Sequence, residues 1–323
     1  MVGSPFVVWF FPHRKEQLQA IPKGQVMQVE PLVSVIIPCF NRENYIAETV
    51  DSVLDQTYGN IELFVIDDGC TDNSRNILNS YLDQLVVLEH PGRVNRGQSA
   101  GINLGLSHCE GAYVAILDSD DLFYPGKIER QVAYLQEYSE IGTVYTNGMN
   151  IDADGVAKYT VYSPGERSII GPEPVLESSA YNLPSNALVR KQVFDKAGFL
   201  DESLRSAQDH DMAIRLAEIA PVGYIDEILW AYRRHNESIS HTKTLERWQN
   251  GFKILASASK RYNYPLKTRL RRRAVLHFRL GQCFIEKKKL LYGGFHLICS
   301  VFLDPLRALR VLFGIENYSP PQS

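Results

Sequence analysis

The sequence lacks the features that would place it in several familiar classes. Its five cysteines, at positions 39, 70, 109, 283 and 299, show no paired spacing typical of a zinc site. An odd, scattered set of this kind predicts a reducing compartment and no disulfide framework. The apolar residues 7–11 are too few for a signal-peptide core or a membrane span. No internal repeat or low-complexity tract is present in the 323 residues.

Two nucleotide-binding motifs are also absent. The first predicted strand is not followed by G-x-G-x-x-G, and no G-x-x-x-x-G-K-[ST] occurs. These absences argue against a dinucleotide-dependent dehydrogenase and a P-loop NTPase. A nucleotide can still bind, because Phe40 could stack on a base and Asp68 could accept a ring N–H from it. Packing of Phe40 in the core explains that residue equally well.

Charge is distributed unevenly along the chain, although the net charge is only −3. Residues 241–323 contain 16 Lys and Arg and 4 Asp and Glu, a net charge of +12, whereas residues 1–240 contain 18 and 33, a net charge of −15. Such a basic region indicates an anionic partner: a membrane surface, a phosphorylated acceptor or nucleic acid. No recognition motif for nucleic acid accompanies the charge, so we predict no nucleic-acid partner.

Residues 115–121 are an apolar run that leads directly into Asp118, Asp120 and Asp121. A buried strand cannot hold three unpaired carboxylates, since each would cost several kcal/mol, so the acids must lie at its end. Asp118 and Asp120 are two residues apart and point to the same side of extended backbone. Together they predict a site for Mg²⁺ or Mn²⁺, although a solvated turn would explain them equally well.

Strand and helix patterns alternate from residue 32 onward. Strands are predicted at residues 32–38, 61–66, 85–88 and 112–117, with helices at 45–54, 73–82 and 98–108 between them. This alternation predicts βαβ units and a mostly parallel sheet flanked by helices. Polar residues follow all four strands: Pro38 and Asn41, Asp67 and Asp68, Arg93 and Arg96, and Asp118 and Asp120. Because ligands bind outside the carboxyl ends of such strands, we expect these groups to meet at one edge.

The second half of the sequence is less regular. Residues 148–182 are rich in Gly, Pro and Ser and are expected to form a long loop or a flexible hairpin near a site. A helix begins near Gln208-Asp209-His210-Asp211, where the acids suit the helix dipole and could be simple caps. Residues 228–233 read as a strand that leads to Arg233-Arg234-His235, which could hold a diphosphate or form a solvated basic turn.

Five segments, in this order, resemble the family 2 glycosyltransferases with the GT-A fold. They are Val33-Ser34-Val35-Ile36-Ile37-Pro38-Cys39-Phe40-Asn41, Val65-Ile66-Asp67-Asp68-Gly69, Asn95-Arg96-Gly97-Gln98-Ser99-Ala100-Gly101-Ile102-Asn103, Leu117-Asp118-Ser119-Asp120-Asp121 and Gln208-Asp209-His210-Asp211. The resemblance implies a Rossmann-like, mixed but mostly parallel α/β sheet. We predict an N-terminal extension over 1–31, a GT-A domain over 32–238 and a basic helical C-terminal region over 239–323.

The resemblance also implies where a sugar nucleotide would bind. Pro38, Phe40 and Asn41 match the family's nucleotide pocket, and Asp68 matches the acid that recognises the base. Arg96 is expected beside the diphosphate.

The same resemblance implies metal-binding and catalytic roles. Asp118-Ser119-Asp120 matches the D-x-D motif, in which Asp118 and Ser119 contact the nucleotide and the last acid ligates Mn²⁺ or Mg²⁺ on the diphosphate. Asp209 matches the catalytic base. His235 lies where relatives carry a histidine near the diphosphate or the metal. Relatives usually have Glu-Asp where this chain has Gln208-Asp209, which puts acceptor binding or orientation of the base in question.

These roles imply an inverting glycosyltransferase that moves a sugar from a nucleoside-diphosphate sugar, most simply a UDP-sugar, to an acceptor hydroxyl. The expected acceptor is a glycan or a lipid-linked molecule of the cell envelope or of an exopolysaccharide, and the expected location is cytoplasmic. A non-catalytic nucleotide-sugar-binding scaffold is one alternative, supported by Gln208. A sugar nucleotidyltransferase is another, but the early Gly-rich loop with Arg and Lys that it needs is absent.

The basic C-terminal region has helical periodicity, with Leu245, Trp248, Phe252 and Leu255 spaced for one face. Residues 290–303 are mostly apolar but short for a membrane span. Two interpretations stay open. The region could make peripheral contact with the inner face of a membrane through an interfacial helix beside a basic surface, or it could be a helical cap on the body.

Overall fold

A mixed β-sheet forms the centre of this computed structural model, which describes residues 30–163, 165, 170–178, 185–235 and 244–312. Nine strands of the described residues belong to it: β1 (Val33–Cys39), β2 (Ile61–Asp67), β3 (Val86–Glu89), β4 (Tyr113–Ile116), β5 (Leu122–Phe123), β6 (Thr143–Ile151), β7 (Ala157–Thr160), β8 (Leu188–Arg190) and β9 (Val222–Arg233). Their order is β3-β2-β1-β4-β8-β6-β9-β5, with β7 paired to β6. The predicted extension over 1–31 lies almost entirely outside the described residues.

Helices pack on both faces of the sheet. They are α1 (Ile46–Leu54), α2 (Ser74–Asn79), α3 (Gln98–Leu106), α4 (Lys127–Glu137), α5 (Pro172–Glu177), α6 (Lys191–Ala197), α7 (Gln208–Ile219), α8 (Thr244–Arg261), α9 (Leu266–Glu286), α10 (Leu290–Leu303) and α11 (Pro305–Leu312). One core layer joins the sheet to α3 and α7, and the other joins it to α1 and α4. The predicted α/β architecture is therefore confirmed.

The first half of the sheet is parallel, as the alternating pattern predicts. β1 pairs in parallel with β2 and with β4, and β2 pairs in parallel with β3. Every residue of β1 is buried, which explains its continuous β-branched sequence. The strand continues one residue beyond its predicted end, so Pro38 lies within β1 opposite Ile66. A Cβ on Gly101 of α3 would lie 3.7 Å from the Pro38 Cβ, so this helix packs closely on the strand.

The second half of the sheet mixes strand directions. β8 is antiparallel to β4 and β6, β5 is antiparallel to β9, and the long strands β6 and β9 are parallel. The segment 148–182, predicted to form a long loop or a flexible hairpin, contains a hairpin and is not a loop along its whole length. Its first residues belong to β6, β7 returns as a hairpin, and α5 follows. Within this segment, residues 164, 166–169 and 179–182 lie outside the described part of the chain.

The C-terminal helices divide into a packed part and an exposed part. Ile254, Leu255 and Ala258 of α8 and Leu276 of α9 belong to the core layer of α3 and α7, so these two helices cap the body. No helix in the described ranges is both long and apolar enough to cross a bilayer. The predicted boundaries at 31/32 and 238/239 stay predictions.

The basic run Arg269, Arg271, Arg272 and Arg273 of α9 is not uniformly exposed. Arg272 is only 3% exposed, and its guanidinium donates to Nδ1 of His210 at 3.1 Å and to the carbonyl of Glu177 at 3.4 Å. Burial and the Arg272 charge hold the pKa of His210 well below its usual value, so the ring is neutral and its Nε2–H donates to the Val175 carbonyl at 2.8 Å. This arginine therefore fixes α9 to α7 and α5.

Candidate active site

The turn between β4 and β5 brings Asp118 and Asp120 close to Asp209, in the first turn of α7. Burial is the largest cause that raises the pKa of Asp118 to about 7, and the negative charges of Asp120 and Asp209 raise it further. Carboxylates from two distant parts of the sequence thus act electrostatically on Asp118. Such crowding is typical of functional sites, because a fold gains nothing by placing like charges together.

Two cationic or ring donors hold the Asp120 carboxylate. Arg42 donates its Nε–H to Oδ2 at 3.1 Å, and Nε2 of His235 bonds the same oxygen at 2.9 Å. Burial alone would raise the pKa of Asp120, but the His235 bond and the Arg42 charge together lower it. Asp120 is therefore ionised, and its Oδ1 has no hydrogen bond to any described residue.

His235 lies behind Asp120 and is almost completely buried. Its ring packs on Tyr45, with 5.1 Å between the ring centroids, and its side chain is only 5% exposed. Nδ1 has no hydrogen-bond partner among the described residues. His235 therefore orients Asp120 in this structure, and its predicted role as a direct metal ligand stays a prediction.

A chain of side-chain amides connects α7 to the acidic turn. Gln208 donates from Nε2 to Oε1 of Gln98 at 2.7 Å, and Gln98 donates from Nε2 to Oδ1 of Asp118 at 2.6 Å. An ionised Asp118 carboxylate can only accept hydrogen bonds, so Gln98 must donate to it from Nε2. The Oε1 atom of Gln98 is then left to accept from Gln208. Gln208, which departs from the family pattern, thus contributes to the orientation of the acidic turn.

Asp121 and Arg233 stabilise the turn between β4 and β5. The Asp121 carboxylate is fully buried, and its Oδ1 accepts the backbone N–H of Arg233 at 2.8 Å. The Arg233 guanidinium donates to the Asp120 carbonyl at 2.9 Å and to Glu48 at 2.6 Å, and lies 4.9 Å from the Tyr45 ring centroid. Arg233 is therefore neither a solvated turn residue nor free to bind a diphosphate, contrary to both sequence interpretations.

Asp68 lies at the end of β2 and ties a loop to the site. Its two carboxylate oxygens accept the backbone N–H groups of Arg96 at 2.7 Å and Gly97 at 2.8 Å. The loop approaches so closely that a Cβ on Gly69, where φ is +82°, would lie 2.8 Å from the Arg93 carbonyl oxygen. Only glycine fits this position without strain.

Consecutive residues link Asp68 to Asp118. Gly97 donates from its backbone to Asp68, and the side chain of Gln98 donates to Asp118. Gln98 also contacts Gln208, the neighbour of Asp209 in sequence. The structure therefore brings the predicted base-recognising acid, the acidic turn and the predicted catalytic acid to one edge of the sheet.

The other predicted nucleotide-binding residues surround this edge with different exposures. Phe40 is 41% exposed, so packing in the core does not explain it. Asn41 adopts a φ of +51° and accepts the Thr71 backbone N–H at 2.8 Å. The Arg96 guanidinium is half exposed and lies 3.4 Å from Glu202, whereas its backbone N–H donates to Asp68. Pro38 is buried within β1.

Asp118 and Asp120 are the side chains of the site best suited to a divalent cation. No group of three or more His, Cys, Asp or Glu side chains in the described part of the chain could hold a metal ion by itself. Asp118 and Asp120 do converge, and Mg²⁺ is commonly bound by one or two carboxylates together with substrate phosphates. Burial is the largest cause of the raised pKa of Asp118, and the charges of Asp120 and Asp209 add to it, so a cation beside the carboxylates would offset that repulsion. The pair therefore fits a cation that a bound diphosphate would help to coordinate.

Sequence reasoning missed Arg42 and Gln98. Arg42 directly follows the predicted pocket residue Asn41, and Gln98 begins a helix within a segment of the resemblance. Arg42 contacts Asp120, which lies 78 positions away in the sequence, and Gln98 contacts Asp118, 20 positions away. No local signal indicated either contact.

Comparison with known proteins identifies the family. The model of glycosyl transferase family 2 matches residues 34–198, just over half of the chain. The uncharacterized glycosyltransferase RT0329 of Rickettsia typhi is 34% identical over 218 residues, 66% of this chain and 67% of that protein. A chondroitin synthase of Escherichia coli is 28% identical over 266 residues, 81% of this chain but 38% of that protein. The chain thus spans about a third to two thirds of the curated relatives it matches.

Solved structures support the fold. TarS residues 1–349 of S. aureus, in complex with UDP-GlcNAc, give a TM-score of 0.59 at 17% identity and cover 89% of this chain and 93% of theirs. The mannosyltransferase PcManGT of Pyrobaculum calidifontis, in complex with GDP-Man and Mn²⁺, gives 0.59 at 19% identity and covers 90% and 82%. The chain therefore belongs to glycosyl transferase family 2 and has the GT-A fold.

Proposed function

We propose that the protein is an inverting glycosyltransferase that moves a sugar from a nucleoside-diphosphate sugar, in the first instance a UDP-sugar, to a hydroxyl of a glycan or lipid-linked acceptor. The observation that carries this proposal is the convergence of Asp118, Asp120 and Asp209, with their mutual effect on the pKa of Asp118. The relatives support a role in polysaccharide synthesis, because a chondroitin synthase is among them. The five cysteines are free, which supports a reducing, cytoplasmic location.

Asp209 is proposed as the base that takes the proton from the acceptor hydroxyl. Its side chain is partly exposed in the first turn of α7, and no described residue forms a hydrogen bond with its carboxylate. Asp211 is engaged instead, through a 2.9 Å ion pair with Arg215. An accessible carboxylate that is not held by a cation is the form that a general base needs. Attack from its side would invert the anomeric carbon.

Asp118 and Asp120 are proposed to hold the divalent cation beside the diphosphate. A bound Mn²⁺ or Mg²⁺ would stabilise the negative charge that develops on the leaving phosphate oxygens. Arg42 and His235 keep Asp120 ionised and fixed, while Gln98 fixes the orientation of Asp118. Ser119 lies between the two acids, where its predicted contact with the nucleotide stays a proposal.

The nucleoside is proposed to bind over the ends of β1 and β2. Phe40 presents an exposed ring on which a base could stack. Asp68 already accepts two backbone N–H groups, but a carboxylate offers about four acceptor sites, so a ring N–H of uracil, thymine or guanine could still donate to it. Asn41 and Arg96 are proposed to complete the pocket.

A panel of nucleoside-diphosphate sugars tests the proposal. Purified protein with Mn²⁺ should release nucleoside diphosphate from one donor in an acceptor-stimulated reaction, and a chelator should stop that release. Asp120→Asn should lower the rate about 10²–10³-fold, because a transition-state charge contact is lost. Asp83→Asn, an exposed change distant in sequence from the site, is the matched control.

Two outcomes would overturn the assignment. Donor binding without release by the wild-type protein, with any acceptor, would identify the scaffold alternative. An undiminished rate for Asp120→Asn in the presence of chelator would remove the cation from the mechanism.

A further inference from the structure

The last two helices carry exposed apolar side chains, which are called the apolar stripe below. It consists of Leu291, Phe295, Ile298 and Phe302 on α10 and Leu306 and Leu309 on α11. Spacings of four, three and four residues place the α10 members on one helix face. Leu291 is 90% exposed and Phe302 is 82% exposed, values far above those of a packed helix.

The opposite face of α10 is packed tightly on α9. A Cβ on Gly293 would lie 2.6 Å from Cγ1 of Ile285, and a Cβ on Gly281 would lie 2.8 Å from Cδ2 of Leu297. His277 and His296 approach each other across the same contact, with 2.9 Å between their Nδ1 atoms. The helix is therefore held rigidly on the body with its apolar stripe turned outward.

Positive charge lies at both ends of the stripe. Lys287, Lys288 and Lys289 precede α10, are all exposed, and form no ion pair with any residue that the structure describes. Arg310 lies exposed on α11, whereas Arg307 on the same helix is half-buried and interacts electrostatically with Glu177. Asp304 is the one acid in the sequence between positions 287 and 312, and it accepts the backbone N–H of Arg307 at 3.2 Å.

We propose that the stripe docks on an anionic lipid bilayer, with α10 lying in the plane of the interface. An apolar helix face with lysines and arginines at its margin is typical of interfacial helices, since the face enters the acyl boundary while the cations contact acidic headgroups. The helix has 14 residues, whereas a span needs about 20. Contact in the plane therefore uses the apolar side chains without requiring the helix to cross.

A second copy of this chain fits the stripe less well. Lysines lie at one end and arginines at the other, so any two-fold pairing of two stripes would bring cations against cations. Juxtaposed like charges oppose association. The bilayer supplies the complementary negative charge that a second copy lacks.

This proposal goes beyond the proposed catalytic function and does not depend on it. The stripe contains none of the residues assigned to the site, and vesicle binding requires no transfer. Failure of one proposal would leave the other standing.

Co-sedimentation of the full chain with vesicles is the test. The protein should bind vesicles of mixed phosphatidylcholine and phosphatidylglycerol at low salt, bind pure phosphatidylcholine much more weakly, and dissociate at high salt. Replacing Lys287, Lys288 and Lys289 by glutamine should weaken binding about a hundredfold, at about fivefold for each lysine. The double variant Leu291→Glu/Phe302→Glu should remain in the supernatant, whereas Leu82→Glu, exposed elsewhere, should bind as the wild type does.

Three results would overturn the proposal. Equal binding to neutral and anionic vesicles would remove the electrostatic contact, and unchanged binding of the double variant would place the lipid contact elsewhere on the chain. Absence of vesicle binding, with a dimer in light scattering that the double variant abolishes, would identify the stripe as an interface between copies. Unchanged unfolding midpoints of both variants show that the comparison is made between folded proteins.

Discussion

Replacing Asp118 by asparagine should stabilise the free protein while it impairs function. Burial first, and then the charges of Asp120 and Asp209, raise the pKa of Asp118 to about 7 in the folded protein. An aspartate in an unfolded chain has a pKa of about 3.9. Between these two values the folded state binds more protons than the unfolded state. The contribution of Asp118 to stability is therefore present below about pH 4 and is lost as pH rises to about 7.

The size of the effect follows from the separation of the two pKa values. About three pKa units correspond to ~4 kcal/mol at most, and partial exposure of the carboxylate reduces this to about 1–3 kcal/mol. Asparagine removes the charge but keeps an oxygen that can accept the 2.6 Å hydrogen bond from Gln98. Asp118→Asn should therefore be more stable than the wild type by about 1–3 kcal/mol near pH 8, and equal to it near pH 4.

Urea unfolding in the presence of a chelator, across this pH range, measures the difference. Asp83→Asn, which removes an exposed carboxylate, should show no such pH-dependent gain. Mn²⁺ should stabilise the wild type more than Asp118→Asn, because only the wild type offers both carboxylates. A variant that is less stable than the wild type near pH 8, or a difference in stability that does not change with pH, would refute the conclusion that the ionised Asp118 carboxylate destabilises the free protein.

Two further substitutions test other contacts. Gln98→Leu removes a hydrogen bond to the Asp118 carboxylate that is worth about 1.5–3 kcal/mol. Calorimetry should therefore show at least about tenfold weaker binding of nucleoside diphosphate with Mn²⁺. Unchanged affinity would contradict this role of Gln98. Arg272→Met leaves His210 without its donor and should lower the free energy of unfolding by about 2–4 kcal/mol. The same substitution at the exposed neighbour, Arg273→Met, should lower it by about 0.5 kcal/mol or less. Equal losses in the two variants would contradict the buried contact.

The parallel half of the sheet could be predicted because its signals are local. The β-branched run in β1 is buried along its whole length, and the helices between strands begin near the expected positions. The antiparallel half could not be predicted in the same way. β6 and β9 pair across about 80 residues. Gly148 suggests a loop but lies within β6, where glycine is required because the Trp230 indole occupies the space of a side chain.

The acids of the site were recognisable from sequence, whereas the residues that position them were not. Asp118 and Asp120 follow an apolar strand, so chemistry alone required them at its end. Gln98 and Gln208 are 110 residues apart and nothing in either segment indicates the contact. The helical prediction for the C-terminal region covers α9, but it could not show that Arg272 is buried while Arg273 is exposed, since both belong to one basic run.

Single-turnover transfer by Asp209→Asn, measured together with donor affinity, tests the central claim most directly. Asp118 and Asp120 are proposed to bind the cation-bound diphosphate, and Asp209 is proposed to deprotonate the acceptor separately. The variant should bind nucleoside-diphosphate sugar and Mn²⁺ as tightly as the wild type, while the transfer rate falls about 10²–10⁴-fold. Transfer at the wild-type rate would contradict the account, and so would loss of donor binding in step with loss of rate.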